Sequence, residues 1–383
     1  MKVDFYRHSL SVDDAASVAA VLKSPFLTTG KVARAVEDQL AQYFGSPHAL
    51  LANSWTNGAL ALLLALDLKP GDEVIVPAMT FIASANVVEL AGGTTVFADV
   101  DPDTLLLTTG HVEAALSSRT RAVIPVHLYG QMTDISAMRQ MLDKRAPGVL
   151  IIEDCAHCFE GEFAGERPGR HSDAAVFSFY ATKNVTCGEG GAIILRDEGL
   201  CQRTVEARLH GMTAIAADRF AGGRYNHWDM KRLGTKANLP DLLACLLPAQ
   251  IQAVDTRLIE RHRLAGRYRT AFAGGPLQLV VQHQQAKSAE HLFVLGVPGG
   301  KRDEAIAALN AAGIGVTVNY CAVPDTTFYR GRYPEAGDRC PVARKWGEET
   351  LSLPLFPGLT DAEQDYVIAA VIRDVYPMAV QKS

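Results

Sequence analysis

The sequence predicts an α/β fold in which a mostly parallel central sheet is covered by helices on both faces. Strand-like apolar runs alternate with helix-like stretches, as in chains that build parallel sheets from strand–helix–strand units. One run, residues 149–152, has the length and the β-branched content of a strand that is buried on both faces. The predicted strands cover residues 74–76, 95–97, 123–126, 149–152, 176–179 and 192–195.

The C-terminal part of the chain predicts a second, smaller α/β domain. A helical stretch over residues 248–272 leads into it, and strands predicted at 291–297 and 315–319 flank a helix predicted at 301–312. A chain of 383 residues is long enough for two domains. We therefore predict a large domain over residues 1–247 and a small domain over residues 248–383.

A run of helix-capping residues lies near the N-terminus. Residues 53–58, Asn-Ser-Trp-Thr-Asn-Gly, come directly before a strong helix-forming segment at 59–66. Unpaired backbone N–H groups and the dipole at such a helix start can hold a phosphate. A plain helix cap is the simpler interpretation of this segment by itself.

Two polar residues follow predicted strands of the same sheet. Asp154 follows the strand at 149–152, and a short apolar strand at 174–179 leads into Lys183 in a turn of small residues. Because open α/β sheets bind ligands at the C-terminal edge of their strands, we expect both side chains there. A solvated lysine has a pKa of about 10.4, whereas a desolvated lysine can form a Schiff base.

A carboxylate and an amine at one sheet edge suit pyridoxal phosphate (PLP). The ring nitrogen of PLP is stabilised by an anion, and its aldehyde reacts with an amine. An ordinary loop lysine is the simpler interpretation of the lysine segment by itself.

Motifs along nearly the whole chain, in the same order, resemble the sugar aminotransferases of the DegT/DnrJ/EryC1/StrS family. They include the capped helix start, the aspartate strand and the lysine turn, together with residues 26–30, 70–77, 80–86, 97–102, 125–131 and 351–360. This family uses PLP in the aspartate aminotransferase fold, which is fold type I. The resemblance therefore implies a PLP-dependent transferase with this fold.

The resemblance also implies a role for each matching residue. Lys183 would form the internal aldimine and would then move the proton between the substrate carbon and the cofactor. Asp154 would keep the ring nitrogen protonated. The other implied cofactor contacts are Phe81, stacked on the ring; His157, near its phenolic oxygen; and Trp55, Thr56 and Ser178, on the phosphate. Without the family, a core aromatic and a structural histidine are equally good interpretations of Phe81 and His157.

Several positions depart from the family pattern. Trp55 stands where the family usually has glycine. Lys236 and Asn238 occupy the places of family residues that reach the partner subunit's phosphate, so they are predicted cofactor contacts across a dimer, with a helix-entry loop as the alternative. Residues 319–324 replace a histidine–tyrosine pattern near the substrate. Lys183 is kept, whereas the family's sugar 3-dehydratases carry histidine there.

The resulting hypothesis is a PLP-dependent aminotransferase that transfers an amino group from glutamate to a keto sugar. In its most specific form, the acceptor is a nucleotide-linked 4-keto-6-deoxy hexose. The sugar class, the donor and a homodimer with active sites at the subunit interface are implied by the resemblance alone. Two alternatives stay open, namely a PLP-dependent sugar dehydratase of the same family and a non-catalytic sensor on this fold.

Composition limits the remaining classes of function and setting. The formal charge of −5, from 42 acids and 37 bases, lacks the basic footprint of a nucleic-acid-binding protein. Seven cysteines in a chain of this length do not suggest a disulfide framework, which favours a reducing cytoplasm. Cys155 and Cys158 form one Cys-x-x-Cys motif without a second pair, so we expect no metal site.

The sequence also carries no predicted targeting or membrane segment. The first residues lack the apolar core of a signal peptide. The longest apolar stretch, residues 59–66, is much shorter than the roughly 20 residues that span a bilayer. We therefore expect a soluble protein that does not contact a membrane.

Overall fold

A computed structural model describes residues 1–213 and 227–380 of the chain. Seven strands form the central sheet: β1 (His48–Ala52), β2 (Glu73–Pro77), β3 (Thr94–Ala98), β4 (Thr120–Val123), β5 (Leu150–Asp154), β7 (Ala174–Ser178) and β8 (Gly191–Leu195). Their order across the sheet is β1-β8-β7-β5-β4-β2-β3. Strand β8 is antiparallel to both of its neighbours, and the other neighbouring pairs are parallel.

The six strands predicted in the first half of the chain all overlap strands of this sheet. The run predicted at 123–126 is shifted, because the sheet strand ends at Val123 and Pro125 has no N–H to extend the ladder. Only an isolated bridge joins Val126 to Asp154. The sequence missed β1, whose residues His-Ala-Leu-Leu-Ala include no β-branched side chain.

Alternate side chains of the sheet pack into helices on opposite faces. On one face, Val74 and Val76 pack with α3 (Trp55–Ala65), α4 (Ala83–Leu90) and α7 (Glu198–Ala207). On the other face, Ile75 packs with α5 (Thr109–Ala115) and α6 (Ile135–Arg145), and Phe177 packs with α2 (Lys31–Phe44). Helix α1 (Val12–Leu22) precedes these elements. The predicted two-faced α/β architecture is confirmed.

The C-terminal part contains a three-stranded antiparallel sheet in the order β12-β11-β9. Its strands are β9 (Gln278–Leu279), β11 (Phe293–Gly296) and β12 (Thr350–Leu353). The short strands β6 (Glu162–Phe163) and β10 (Ala286–Lys287) pair separately. The helices here are α8 (Asp241–Ala244), α9 (Pro248–Phe272), α10 (Arg302–Ala311), α11 (Thr327–Arg332), α12 (Pro341–Glu349), α13 (Asp361–Ala370) and α14 (Tyr376–Val380).

Most of the elements predicted for this part are confirmed. The predicted helices at 248–272 and 301–312 correspond to α9 and α10, and the strand predicted at 291–297 contains β11. The strand predicted at 315–319 is wrong. Its backbone is divided between two partners, since the Gly315 N–H bonds the Val3 carbonyl and Thr317 forms only an isolated bridge with Ser352.

Helix α9 joins two hydrophobic cores. Its first half places Ile251 and Val254 in the core beside β7 and β8, and its second half places Leu264 and Phe272 in the C-terminal core. Val3 also packs in that C-terminal core. A domain boundary near residue 247 therefore stays a proposal, with the first residues of the chain lying against the smaller part.

One helical stretch, Asp241–Phe272, is long and apolar enough to meet a length-and-composition criterion for crossing a membrane. The same criterion is met by core helices of proteins that do not enter membranes. Since this stretch supplies α9 side chains to both cores, its length and composition do not identify it as a membrane span.

Candidate active site

A cavity of about 400 Å³ lies at the C-terminal edge of the parallel strands. Asp154 is the last residue of β5, Ser178 is the last residue of β7, and Lys183 lies in the turn that follows. All three residues line the cavity. Its volume falls within the range of small-molecule sites. The structure therefore brings together the carboxylate and the amine that the sequence placed at this edge.

Lys183 is a desolvated amine without a partner. Its backbone N–H donates to the Tyr180 carbonyl at 2.9 Å and closes the turn. Within residues 1–213 and 227–380, its Nζ has neither a hydrogen bond nor an ion pair. Burial lowers the pKa of Lys183 from 10.5 to about 8, and the Asp154 carboxylate opposes this shift. A substantial fraction of the amine is therefore neutral, and nucleophilic, just above neutral pH.

The Asp154 carboxylate is held in place by two hydrogen bonds. The Ser84 hydroxyl donates to Oδ2 at 2.8 Å, and the Ala156 N–H donates to Oδ1 at 3.0 Å. Burial raises the pKa of Asp154, while these two donors and the Lys183 amine act in the opposite direction. Each carboxylate oxygen can accept a second hydrogen bond, so Asp154 fits a protonated ring nitrogen.

His157 is fixed in one tautomer by its neighbours. The Tyr129 N–H donates to Nδ1 at 3.2 Å, so the proton of the neutral ring lies on Nε2, 3.0 Å from the Tyr320 hydroxyl. Burial, reinforced by the Lys183 charge, lowers the pKa of His157 well below its ordinary value. His157 and Tyr320 both line the cavity, so a neutral imidazole faces the ligand space.

The first turn of α3 offers free donors to the cavity. The Ser54 hydroxyl caps the helix by accepting from the Asn57 N–H at 3.0 Å. In the described part of the chain, the backbone N–H groups of Trp55 and Thr56 and the Thr56 hydroxyl have no hydrogen-bond partner. The Trp55 indole is buried and donates to the Val176 carbonyl at 3.1 Å. This arrangement fits a phosphate held by the backbone donors and by Thr56.

Phe81 and Ser178 complete the walls of the cavity. Phe81 is 52% exposed, and its ring centroid lies 5.5 Å from that of Tyr320. Phe81 is therefore not a core aromatic but a free ring surface on which a flat ligand can stack. The Ser178 Oγ accepts from the Tyr180 N–H at 3.3 Å, which leaves its own O–H free to donate.

Lys236 and Asn238 lie outside the cavity of their own chain. Lys236 Nζ donates to Asn238 Oδ1, and the Asn238 amide donates to the Thr29 hydroxyl. The Lys236 carbonyl accepts from the Asn53 side chain at 3.1 Å, so this loop lies against the residues that precede the first turn of α3. That Lys236 and Asn238 contact the cofactor phosphate bound by a partner subunit stays a prediction.

One buried cluster, formed by His127, Glu153 and Cys155, has the spacing of a metal site. Both nitrogens of His127 are already used. The Thr133 N–H donates to Nδ1 at 3.1 Å, and Nε2 lies 2.6 Å from Glu153 Oε2. The other Glu153 oxygen accepts from the Gly169 N–H at 2.7 Å. These bonds account for the histidine and the glutamate without a metal ion.

Sequence reasoning missed several residues that line the cavity: Thr80, Ser84, Tyr180, Thr182 and Glu189. Thr80 and Ser84 are four residues apart and their hydroxyls lie 3.1 Å from each other, so their spacing within residues 80–86 was an available signal. Asn319 and Tyr320 belong to the segment that the sequence placed near the substrate, and both line the cavity.

Known proteins share this fold over nearly the whole chain. The model of the DegT/DnrJ/EryC1/StrS aminotransferase family matches residues 8–372. Spr1654 of Streptococcus pneumoniae, assigned as a sugar aminotransferase and solved in its PMP form, is 29% identical, with a TM-score of 0.90 and 99% of both chains covered. DesV of S. venezuelae, solved in complex with a ketimine intermediate, is 32% identical, with a TM-score of 0.86 and coverage of 97% of this chain and 95% of DesV.

A third similar structure is the sugar aminotransferase CalS13 of Micromonospora echinospora. It is 25% identical, with a TM-score of 0.86 and coverage of 96% of this chain and 99% of CalS13. The family match and the cavity built around Lys183 and Asp154 lead to the same conclusion. The chain belongs to the DegT/DnrJ/EryC1/StrS aminotransferase family of PLP-dependent enzymes with fold type I, and the similar solved structures are sugar aminotransferases.

Proposed function

We propose that this enzyme transfers an amino group from glutamate to a keto sugar, and that its acceptor is a nucleotide-linked 4-keto-6-deoxy hexose. The observation that carries the proposal is the desolvated Lys183 amine, unpaired within the described residues, facing the same cavity as the buried Asp154 carboxylate. The similarity to Spr1654 and CalS13, which are assigned to sugar substrates, supports the substrate class. The resemblance in sequence supports the donor and the position of the ketone.

The residues of the cavity fit PLP as a bound group. When bound, PLP supplies an electron sink that stabilises negative charge on the substrate carbon. The free N–H groups of Trp55 and Thr56, with the hydroxyls of Thr56 and Ser178, would bind its phosphate. The Asp154 carboxylate would accept a hydrogen bond from the protonated ring nitrogen and so keep the proton on that nitrogen. Phe81 would contact the face of the ring.

Lys183 would have two successive tasks in this site. It would hold the cofactor covalently through Nζ and, once the substrate has displaced it, would carry a proton to and from the substrate carbon. A pKa of about 8 suits this second task, because a general base is most efficient when its pKa lies near the working pH. The lowered pKa of His157 makes its ring a weak base, and its Nδ1 already accepts from the Tyr129 N–H, which leaves Lys183 as the stronger base.

The acidic and basic residues that line the cavity indicate which acceptor substrate it can bind. Asp154, His157, Lys183 and Glu189 are the only acidic or basic residues among the described residues that line it, and no arginine does. Serine, threonine, tyrosine and asparagine side chains also line it with polar groups, which suits sugar hydroxyl groups. The phosphates of a nucleotide would therefore need cations from outside this lining.

The arginine-rich stretch at residues 203–232 is one sequence-predicted source of such cations. Its described members are already engaged, because Arg203 donates to the Ala65 carbonyl, Arg208 pairs with Glu37, and Arg232 pairs with Glu206. Arg219 and Arg224 lie outside the described residues. A partner subunit is a further candidate source.

We propose a homodimer in which Lys236 reaches the phosphate bound by the partner. Lys236 is exposed and its partner in the described chain is a neutral amide, so its charge remains uncompensated. Asn238 is bonded on both sides and would hold Lys236 in place. A Lys236→Ala variant is expected to bind PLP about tenfold more weakly, measured by equilibrium dialysis, while remaining dimeric in ultracentrifugation. Unchanged PLP affinity would exclude this contact.

The reducing cytoplasm is the proposed compartment. All seven cysteines are free thiols, and six of them are buried. Fractionation of cells that express the protein tests the proposal, since recovery with secreted proteins would contradict it.

The function is tested with a panel of keto sugars and glutamate, scored by mass for exchange of the ketone oxygen for nitrogen. The panel pairs nucleotide-linked and free forms of 3-keto and 4-keto hexoses, so the linkage and the position are read separately. We expect amination of the nucleotide-linked 4-keto-6-deoxy sugar. Amination of free sugars alone would overturn the nucleotide linkage.

Glutamate alone supplies the matching control. It should convert enzyme-bound PLP to its amine form, which is followed by the change in visible absorbance. Loss of water from the sugar without this conversion would replace the proposal by the dehydratase alternative.

A further inference from the structure

A chain of buried polar side chains lies behind the lysine turn and is not part of the cavity lining. It begins at Glu160, on the connection between β5 and β6, which is 1% exposed. Both carboxylate oxygens of Glu160 lie 3.0 Å from the Nδ2 atom of Asn184. Asn184 directly follows Lys183, so this contact acts on the turn that carries the reactive amine.

Asn184 uses its whole side-chain amide in this arrangement. Its Nδ2 also donates to the Ala289 carbonyl at 2.9 Å, and its Oδ1 lies 3.0 Å from Nδ1 of His291. Because an amide oxygen only accepts, His291 must carry its proton on Nδ1. The Glu160 carboxylate thus sets the orientation of Asn184, which in turn sets the tautomer of His291.

His291 continues the chain to the cavity. Its ring centroid lies 4.5 Å from that of His157, and His157 bonds the Tyr320 hydroxyl at 3.0 Å. The lysine turn is therefore tied to the β5–β6 connection by Glu160 and to the segment before β11 by Ala289 and His291. Contacts therefore link Glu160 both to the lysine turn and to the histidine side of the cavity.

Burying the Glu160 carboxylate at this place costs desolvation free energy. In the part of the chain that the structure describes, its carboxylate has no ion pair, and the buried Arg261 nearby donates instead to the Glu290 and Leu355 carbonyls. Burial raises the pKa of Glu160 to about 7, with Arg261 and Asn184 opposing the shift. The other groups that act on it electrostatically are Asp255 and Arg257 on α9, Tyr43 on α2, and Cys158 on its own connection.

We propose that Glu160 is a positioning residue of the active site, acting through Asn184 and His291 to hold Lys183 in the geometry in which its amine meets the cofactor aldehyde. This inference rests on the proposed role of Lys183. Glu160 does not line the cavity, but it can still affect the reaction rate through the position of Lys183. A small misplacement of a reacting group lowers a rate strongly.

The test compares Glu160→Gln with a control variant, Glu162→Gln. Glutamine keeps the size of Glu160 but turns an NH₂ group toward the Asn184 NH₂ group, so one accepting oxygen and the charge are lost. Glu162 lies two residues away and pairs with Arg167 and Lys287, outside this chain of contacts. The readout is the rate at which added PLP becomes fixed to Lys183 by borohydride, together with the visible absorbance of the PLP-loaded enzyme.

We expect Glu160→Gln to slow the attachment of PLP about tenfold at pH 8 and to change its absorbance band, with Glu162→Gln unchanged. Below pH 7 the wild-type rate should approach that of Glu160→Gln, because protonation removes the same acceptor and the same charge. The ratio of the two rates isolates Glu160, since both proteins share the ionisation of Lys183. Glu160→Asp, which keeps the charge, should recover part of the rate.

Equal rates and spectra in wild type and Glu160→Gln would overturn the proposal, as would an equal loss in both glutamine variants. If Glu160→Gln does not fold, the Glu160→Asp variant and the wild-type pH profile decide. A wild-type rate that falls below pH 7 only in proportion to the neutral fraction of Lys183 overturns the proposal. PLP attachment without sugar amination would overturn only the proposed substrate. Failure of PLP to attach at Lys183 would overturn both proposals.

Discussion

Replacing Lys183 with alanine is expected to lower turnover by about 10⁴-fold. The substitution removes the nucleophile that holds the cofactor and the base that moves the proton. In the described chain no side-chain partner is left unsatisfied, because Nζ has none, so the thermal unfolding midpoint should change little. Steady-state amination and borohydride trapping of PLP measure the two losses separately.

The surface variant Lys301→Ala is the matched control. Lys301 pairs with Glu304 at 2.7 Å at the start of α10 and does not line the cavity. It should retain wild-type turnover and PLP trapping. Turnover of Lys183→Ala at the wild-type rate would remove Lys183 from the mechanism.

The pH dependence of PLP attachment to the wild-type enzyme is a second test of the role of Lys183. Only the neutral amine attacks an aldehyde, and burial lowers the pKa of Lys183 to about 8. The rate of PLP attachment should therefore rise with pH, reach half of its plateau near pH 8, where half of the amine is neutral, and level off above that pH. An ordinary lysine would show a rise that continues toward pH 10.5. A continued rise would mean that Lys183 is solvated.

Asp154→Asn is expected to lower turnover by about 10²- to 10³-fold while leaving PLP attached to Lys183. Asparagine has nearly the same size and can still accept from the Ala156 N–H, but it has no charge to stabilise a protonated ring nitrogen. Because the Asp154 charge raises the pKa of Lys183, the variant should also shift the pH dependence of PLP attachment to lower pH. Stopped-flow absorbance with glutamate measures the rate.

The control for this substitution is Asp143→Asn. Asp143 pairs with Arg139 on the exposed side of α6, and its side chain is 60% exposed. Its removal should leave both the rate and the pH dependence unchanged. A wild-type rate for Asp154→Asn would mean that another acid holds the ring nitrogen.

Local patterns predicted most of the fold. The central strands are short, apolar and rich in β-branched residues, and α9 and α10 are rich in residues that favour helices, so local sequence was sufficient for them. The segments that were predicted wrongly or missed lack such a local signal or carry a misleading one. Strand β1 has no β-branched residue, and residues 315–319 have a strand-like composition but divide their backbone between Val3 and β12. Pairing across the fold decides such segments.

The candidate site divides in the same way. The resemblance named Phe81 and His157, and the structure places both in the cavity with Lys183 and Asp154. Ser84, the donor to Asp154, is marked only by its four-residue spacing from Thr80, and Glu160, the residue behind the lysine turn, carries no local signal of a role. Their contacts join residues that are 70 and 24 positions apart in the chain.

The sequence by itself determined the family, the two-faced α/β fold, and the lysine and the carboxylate that define the chemistry. These features are written in short contiguous motifs, where residue type and spacing are sufficient. Only the tertiary structure decided that the Lys183 amine is desolvated, that His157 is a neutral donor, and that Asn184 is held from behind by a buried carboxylate. Protonation states and hydrogen-bond directions depend on burial and on partners that are distant in the chain, so they exist only once the chain has folded.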